Sequence, residues 1–81
     1  MYTSFVGLNI DINEEDNIEE SLLRMDNVIE IYKMMQPFDL FIKVYADNIR
    51  ILETTVEEIR KLNGIYKTYN FLAVQQKKGL K

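Results

Sequence analysis

Apolar and polar side chains alternate along residues 38–46 more regularly than anywhere else in the chain. Because successive side chains of a β-strand point to opposite faces of a sheet, this alternation predicts a strand with two different faces. One face holds Phe38, Leu40, Ile42 and Val44, and the other holds Asp39, Phe41, Lys43 and Tyr45. We expect the first face to pack in a dry core. The second face mixes charges with aromatic rings, and we expect another surface to cover it.

The remaining pattern predicts three more strands and two helices. The strands are expected at residues 3–12, 28–35 and 65–74, and the helices at 17–25 and 48–62, where apolar residues recur every three or four positions. Asp16 and Glu19 have the spacing of a capping box at the start of the first helix. Asp47 is the expected N-cap of the second helix, and Gly64 is suited to the left-handed position that ends it.

The order strand, helix, strand, strand, helix, strand predicts an α+β fold of the ferredoxin-like type. Right-handed crossovers place both helices on one face of a four-stranded antiparallel sheet with strand order 4-1-3-2. A chain of 81 residues is long enough for one such domain. We expect the domain to span residues 1–76 and a flexible polar tail to span residues 77–81. Gly7 lies inside the first strand, where we expect a small residue beneath a bulky neighbour.

The sheet face without helices is predicted to carry exposed aromatic rings. Phe5, Phe41 and Tyr45 lie on it, and the last strand adds either Tyr69 and Phe71 or Tyr66 and Leu72. Such a patch exceeds what a monomer normally exposes, so it predicts a homodimer. The interface residues expected are Phe5, Phe41, Tyr45 and Phe71. Aromatic sheets also bind RNA, but this chain lacks the basic, glycine-rich strand of such modules and has a net charge of −3.

Composition excludes several kinds of function. The chain has no Cys and no His, which removes thiolate nucleophiles, disulfides and the usual zinc ligands. We expect no cofactor and no metal, and the acidic residues around Asp16 are better explained by the dipole at a helix start. The acidic balance argues against direct nucleic-acid binding. Without a long apolar run or a signal peptide, the chain is expected to be cytoplasmic and to have no membrane partner.

Residues 35–74 resemble the effector domain, also called the RAM domain, of the Lrp/AsnC family of transcriptional regulators. The family's hairpin turn reads Thr-Gly-x-Tyr-Asp and is followed by an aliphatic strand ending in Asp and a helix ending in Gly-Val. Here residues 35–39 read Met-Gln-Pro-Phe-Asp, the strand ends at Asp47, and the helix is followed by Gly64 and Ile65. Gln36 replaces the family's glycine and Phe38 replaces its tyrosine. Since the sequence begins at the first strand, it resembles a stand-alone version without the DNA-binding domain.

The resemblance implies an assembly and a ligand. Members dimerise through their sheets, assemble further into octamers or similar rings, and bind amino acids between dimers near the hairpin turn. The partners implied are therefore the chain itself, an amino acid or similar small molecule, and full-length Lrp/AsnC regulators. The candidate ligand-binding residues are Met34, Met35, Gln36, Pro37, Phe38, Asp39, Thr68 and Asn70.

Two other classes of function remain as alternatives. One is a purely structural oligomer without a ligand. The other is a small dimeric ferredoxin-like enzyme, in which Asp39, Tyr45 and Asp47 would be the acid–base candidates. Oxygenases of this topology commonly use a His, and the hydrolases need a phosphate-cradling loop with Arg. Neither feature is present in the sequence, so we expect no catalysis.

Overall fold

The computed structural model describes residues 1–79, which fold in the predicted order of elements. The strands are β1 (Tyr2–Ile10), β2 (Val28–Lys33), β3 (Leu40–Ala46) and β4 (Ile65–Ala73). The helices are α1 (Glu15–Leu23) and α2 (Ile49–Arg60), and a short 3-10 turn spans Ile12–Glu14. The last two residues of the predicted polar tail, 80 and 81, lie outside the described residues.

The four strands form one antiparallel sheet in the order β2-β3-β1-β4, which confirms the predicted 4-1-3-2 topology. The central strand β1 aligns Val6 with Ile42 of β3 on one side and with Asn70 of β4 on the other. A bulge between Val28 and Glu30 interrupts the pairing of β2 with β3. Because a bulge shifts the alternation of side chains, Val28 and Ile31 both pack against the core.

The core lies between the sheet and the two helices. Its buried apolar residues are Val6, Leu8, Ile10, Ile18, Leu22, Leu40, Ile42, Val44, Ala46, Leu52, Val56 and Ile59. The alternating positions of β1 and β3 therefore supply the sheet side of the core, and one stripe of each helix supplies the other side. Each of these large side chains stabilises the fold by roughly 1.5–3 kcal/mol through burial, before conformational entropy is subtracted.

The start of α1 differs from the predicted capping box. Asp11 caps the 3-10 turn by accepting a hydrogen bond from the Asn13 N–H at 3.0 Å. The helix then begins with Glu14 as its N-cap, and this residue makes no side-chain capping bond. Asp16 lies within the first turn, where its negative charge interacts favourably with the helix dipole. The prediction of a capping box was wrong because the 3-10 turn brings the helix start forward to Glu15.

The second helix begins one residue later and ends two residues earlier than predicted. Asn48, rather than Asp47, is the N-cap, and its Oδ1 accepts a hydrogen bond from the Ile51 N–H at 2.9 Å. Gly64 follows the helix at φ 94°, which confirms the predicted left-handed position. Neither helix of residues 1–79 is long and apolar enough to cross a membrane.

Candidate functional site

The face of the sheet that points away from both helices, here called the open face, carries a cluster of aromatic rings. The centroids of Phe5 and Phe41 lie 6.0 Å apart with their planes 13° from parallel. Phe38 joins them, with its centroid 5.8 Å from Phe41 and 5.1 Å from Tyr69. Phe71 completes the set at 6.2 Å from Phe38. These five residues, Phe5, Phe38, Phe41, Tyr69 and Phe71, are called the aromatic cluster below.

Phe38 corrects the prediction that placed it in the core with Leu40. The ladder between β2 and β3 begins at Leu40, so the period-two rule does not extend back to residue 38. The chain reaches β3 through a turn, and this turn carries the Phe38 ring over Gly7, which has no side chain to obstruct it. The expectation of a small residue beneath a bulky neighbour is thereby confirmed at Gly7. The bulky neighbour comes from the hairpin turn.

All four residues predicted for a dimer interface lie on the open face. Phe5 and Phe41 are half-buried by their neighbours, whereas Tyr45 is 37% exposed and Phe71 50% exposed. The choice left open for β4 is also decided, because Tyr69 and Phe71 contact Phe38 while the neighbouring positions face the helices. Lys43 lies among these rings, with its Nζ 5.9 Å from the centre of Phe5. The open face is thus apolar at its centre and accessible to solvent.

The turn that joins β2 to β3, residues 34–39, is tied to β1 through Asp39. The Asp39 N–H donates to the Leu8 carbonyl at 2.9 Å, and one carboxylate oxygen of Asp39 accepts from the Ile10 N–H at 2.8 Å. The turn is closed by the Met34 N–H, which donates to the Asp39 carbonyl at 2.9 Å. Asp39 therefore replaces the missing end of the β1–β3 ladder with a side-chain hydrogen bond.

The predicted ligand residues fall into two groups in space. Residues 34–39 stay together in the turn, where Met35 is 93% exposed and Gln36 and Pro37 are also exposed. Thr68 and Asn70 lie on β4, across β1 from the turn, and point to the helix side of the sheet. There Thr68 accepts a hydrogen bond from the Arg60 Nε at 3.1 Å, and Asn70 accepts one from the Ser4 hydroxyl. One chain alone does not bring these two groups together.

Charged residues of α1 stabilise the base of the turn. The Lys33 ammonium lies 3.1 Å from the Glu15 carboxylate, and the hydrogen bond between them raises the pKa of Lys33. Glu19, one helical turn after Glu15, has a raised pKa first because of burial and then because of the adjacent Glu15 carboxyl. Among residues 1–79 no three acidic side chains are grouped closely enough to hold a metal ion. Glu15 of α1 therefore anchors the end of β2 next to the turn.

A family model described as the Lrp/AsnC ligand binding domain matches residues 3–80. The chain belongs to this family. Membership agrees with the sheet order, the two helices on one face and the hairpin turn described above. No curated protein matches the chain.

Solved structures of small proteins share the fold over nearly the whole chain. TTHA0845 from Thermus thermophilus is 26% identical with a TM-score of 0.89, and the match covers 98% of this chain and 100% of that one. The hypothetical protein PHS023 from Pyrococcus horikoshii is 31% identical with a TM-score of 0.84, covering 95% and 94% of the two chains. The architecture is therefore shared with other proteins over nearly the whole length of both chains.

A longer regulator shares the fold at low sequence identity. The transcriptional regulator NMB0573 from Neisseria meningitidis, solved as a complex with L-Met, is 10% identical with a TM-score of 0.88. The match covers 96% of this chain and 53% of the regulator, so this chain spans about half of that protein's length. At this identity the likeness concerns the fold alone.

The sequence pattern placed Phe38 in the core, and it left undecided whether Tyr69 lies on the open face. Two signals in the sequence were available, namely a glycine inside a strand and an aromatic residue immediately before another strand. A glycine in the centre of a sheet often lies where something approaches the backbone closely, and here that partner is the Phe38 ring. The two residues are 31 positions apart, and only the strand register shows that they meet.

Proposed function

We propose that the protein is an oligomeric effector-binding module that takes up a free amino acid and acts together with Lrp/AsnC regulators that carry DNA-binding domains. The match to the ligand-binding domain over residues 3–80 carries this proposal. Binding of an amino acid is supported by the L-Met complex of the Neisseria meningitidis regulator, which has the same fold. The module would work in the cytoplasm, where these regulators meet DNA.

The open face is the proposed dimer interface. Burying one Phe side chain is worth roughly 1.5–3 kcal/mol, so the aromatic cluster of each subunit supplies enough apolar surface to hold two subunits together. Phe71 of the cluster and Tyr45, also on the open face, are the exposed aromatic residues that a partner would cover. The Lys43 Nζ lies 5.9 Å from the centre of the Phe5 ring, and the Lys67 Nζ lies 5.4 Å from the centre of the Tyr69 ring. These ammonium groups are attracted by the ring faces, so they are compatible with an aromatic interface.

The proposed ligand site is the hairpin turn, completed by a neighbouring subunit. Asp39 would accept a hydrogen bond from the ammonium of the amino acid. Only one of its two carboxylate oxygens accepts from the Ile10 N–H, and the residue is exposed to solvent. Backbone N–H groups of the turn would receive the carboxylate. Met34 and Met35 are flexible apolar side chains that suit an aliphatic or thioether group. Thr68 and Asn70 face away from the turn in their own chain, so they would contribute only across a subunit boundary.

A structural assembly protein without a ligand is the second candidate. It is favoured by the Asp39 hydrogen bond to Ile10, because that contact already gives the carboxylate a role in shaping the turn. Gln36 and Pro37 also fill the part of the turn where the family has a glycine. An enzyme is less well supported, since the family model describes a ligand-binding domain.

Isothermal titration calorimetry against a panel of free amino acids tests the proposal. We expect heat with an aliphatic or thioether amino acid, and L-Met is the first to try. N-acetyl-L-methionine and L-methionine methyl ester are the matched controls, because each removes one charge of the zwitterion and keeps the side chain. Both are expected to bind at least about tenfold more weakly, since each loses a charge-assisted hydrogen bond. No heat with any amino acid at millimolar concentration would leave the structural assembly protein as the better description.

A further inference from the structure

A second groove lies away from the aromatic cluster and the hairpin turn, between α2 and the start of β2. Its volume is about 630 Å³. Its walls are apolar, formed chiefly by Ile29 and Ile51, which are 45% and 47% exposed. Three carboxylates, those of Asp26, Asp47 and Glu58, line it as well. We call it the acidic groove.

The floor of the acidic groove is held by hydrogen bonds, so its shape exists before anything binds. The Asn27 amide donates to the Thr55 hydroxyl at 2.5 Å, and that hydroxyl donates to the Ile51 carbonyl at 2.9 Å. The Tyr45 N–H donates to the Asn27 carbonyl at 2.9 Å, which joins the floor to the end of β3. A preformed groove binds a segment with less loss of conformational entropy than a mobile surface does.

The charges of the groove define the kind of segment that fits it. Arg50 is the single basic residue of its lining, against three carboxylates. Within residues 1–79, Asp26, Asp47 and Glu58 form no ion pair. Charge complementarity therefore calls for a short basic segment with some apolar surface.

The chain itself contains such a segment. All thirteen acidic residues precede Gln75, whereas three of the ten basic residues follow it, at Lys77, Lys78 and Lys81. Residues 1–74 are thus more acidic than the net charge of −3 suggests, and the only charged side chains of residues 75–81 are basic. Val74 and Leu80 provide apolar side chains at the two ends of this segment.

In their own chain, residues 75–78 of this segment do not lie in the acidic groove. Residues 75–78 line a different groove of about 650 Å³ on the open face, together with Phe5 and Lys43. Lys77 and Lys78 are therefore near another lysine, which repels them, and they form no ion pair among the described residues. A better electrostatic partner for the segment is the acidic groove of another molecule.

We propose that the acidic groove binds the basic C-terminal segment, residues 75–81, of a second copy of this chain. The contact would link subunits through a groove that contains none of the five residues of the aromatic cluster, although Tyr45 at the border of the open face lines it too. It does not depend on the ligand proposed above. Because its ion pairs are exposed to solvent, it should be weak in isolation and sensitive to salt. Within an assembly the high local concentration of the segment would sustain it.

Cysteine cross-linking tests the contact cleanly, since the natural chain contains no cysteine. Full-length Thr54→Cys carrying an affinity tag is mixed with untagged Gly79→Cys and oxidised gently. Thr54 lines the acidic groove. Glu53, the residue just before it, is also exposed on α2 but does not line the groove. Glu53→Cys mixed with Gly79→Cys is therefore the matched control. We expect the mixed disulfide to form at least about tenfold faster with Thr54→Cys than with Glu53→Cys.

Charge reversal provides the second measurement. Asp26→Lys with Glu58→Lys in the tagged copy should slow cross-linking at least about fivefold, as loss of two exposed ion pairs would. Lys77→Glu with Lys78→Glu in the untagged copy should then restore the rate, which a merely unfolded groove could not do. Circular dichroism checks that each variant is folded. Equal rates for Thr54→Cys and Glu53→Cys would overturn the proposal. So would a Thr54→Cys/Gly79→Cys double variant that closes only within one chain, because the segment would then bind its own groove.

Discussion

The ring of Phe38 lies directly over Gly7, so close that a Cβ added to Gly7 would be 2.6 Å from the Cγ of Phe38. Real Cβ atoms do not approach a ring that closely, so any side chain at residue 7 would require the Phe38 ring to move. This contact lets the hairpin turn fold onto the sheet and brings Phe38 against Tyr69, across the central strand. The aromatic cluster depends on this pair of residues.

Gly7→Ala is expected to lower the free energy of unfolding by roughly 1–3 kcal/mol, the usual cost of an extra methyl group in a closely packed site. The added methyl would push the Phe38 ring away from Phe41 and Tyr69. Urea unfolding at fixed protein concentration measures the effect. A variant as stable as the wild type would mean that the Phe38 ring moves aside without loss.

Removing the Phe38 ring should remove most of the stability loss that Gly7→Ala causes. In a Phe38→Ala background, Gly7→Ala is expected to cost less than about 0.5 kcal/mol, because nothing then occupies the space above residue 7 and alanine restricts the unfolded chain more than glycine. The double-mutant cycle from the same urea experiment gives this coupling. Additive effects of the two substitutions would show that the contact carries no energy.

Phe41→Asp is expected to abolish the proposed dimer. Phe41 contacts both Phe5 and Phe38, and a carboxylate at this position would be buried without a partner if two open faces met. Size-exclusion chromatography with light scattering should show a monomer, or the protein should become insoluble. Leu23→Asp is the control, since Leu23 is exposed on α1 and should keep the mass of the wild type. A wild-type chain that is monomeric at micromolar concentration would contradict the open face as an interface.

Glu19 gives a pH dependence whose sign is fixed by its pKa. Its carboxyl has a pKa above the ordinary value of 4.5, so the folded state binds this proton more tightly than the unfolded state does. The stabilising contribution is therefore complete below pH 4.5 and is lost as the pH rises through the raised pKa. Glu19→Gln should raise the free energy of unfolding at pH 7 by roughly 0.2–0.5 kcal/mol, as for a like-charge pair four residues apart, and change little near pH 4.

Glu20→Gln is the matched control for that experiment. Glu20 lies 3.4 Å from Arg24, one turn along the helix, so its loss removes an attraction. It should slightly lower the free energy of unfolding at pH 7. If both substitutions change the stability at pH 7 in the same direction, neither burial nor the Glu15 carboxyl disfavours the charged form of Glu19 in the folded state.

The fold followed from local patterns because each element has a strong period and clear ends. Alternation along β3 and the three-and-four spacing in α2 place the buried side chains of these elements correctly, and Gly64 has the predicted left-handed conformation in the turn after α2. These signals act within a few residues, so they can be evaluated without knowledge of the rest of the chain. The order of elements then leaves few topologies, which is why the strand order could be predicted.

The site was less predictable because it depends on contacts between distant parts of the chain. Periodicity placed Phe38 in the core, but a turn residue outside the ladder obeys no period. Thr68 and Asn70 were expected to reach the ligand from a neighbouring subunit or strand, and within one chain the sheet turns them towards the helices, where they bond Arg60 and Ser4. Asp39 was selected for its charge, and its hydrogen bond to Ile10 depends on where β1 loses its backbone partner. Such features require the register between strands, which local sequence does not contain.

Asp39 is where the proposed ligand site and the structure of the turn can be separated by experiment. Asp39→Ala removes both the negative charge and the acceptor for the Ile10 N–H. Asp39→Asn keeps an oxygen that can accept this hydrogen bond but loses the charge. The two variants together therefore distinguish a role in binding an ammonium group from a role in shaping the hairpin.

We expect Asp39→Ala to lower the free energy of unfolding by roughly 1–3 kcal/mol, the cost of leaving a shielded N–H without a partner, and Asp39→Asn to lower it by less than about 1 kcal/mol. Both should weaken amino-acid binding by roughly 1.5–3 kcal/mol, or about 10- to 200-fold, and both should keep the dimer. Urea unfolding, calorimetry and light scattering measure the three effects. Wild-type affinity in Asp39→Asn would assign the carboxylate to the turn alone, because the hydrogen bond would then suffice without the charge. Wild-type affinity in both variants would place the ligand elsewhere on the protein.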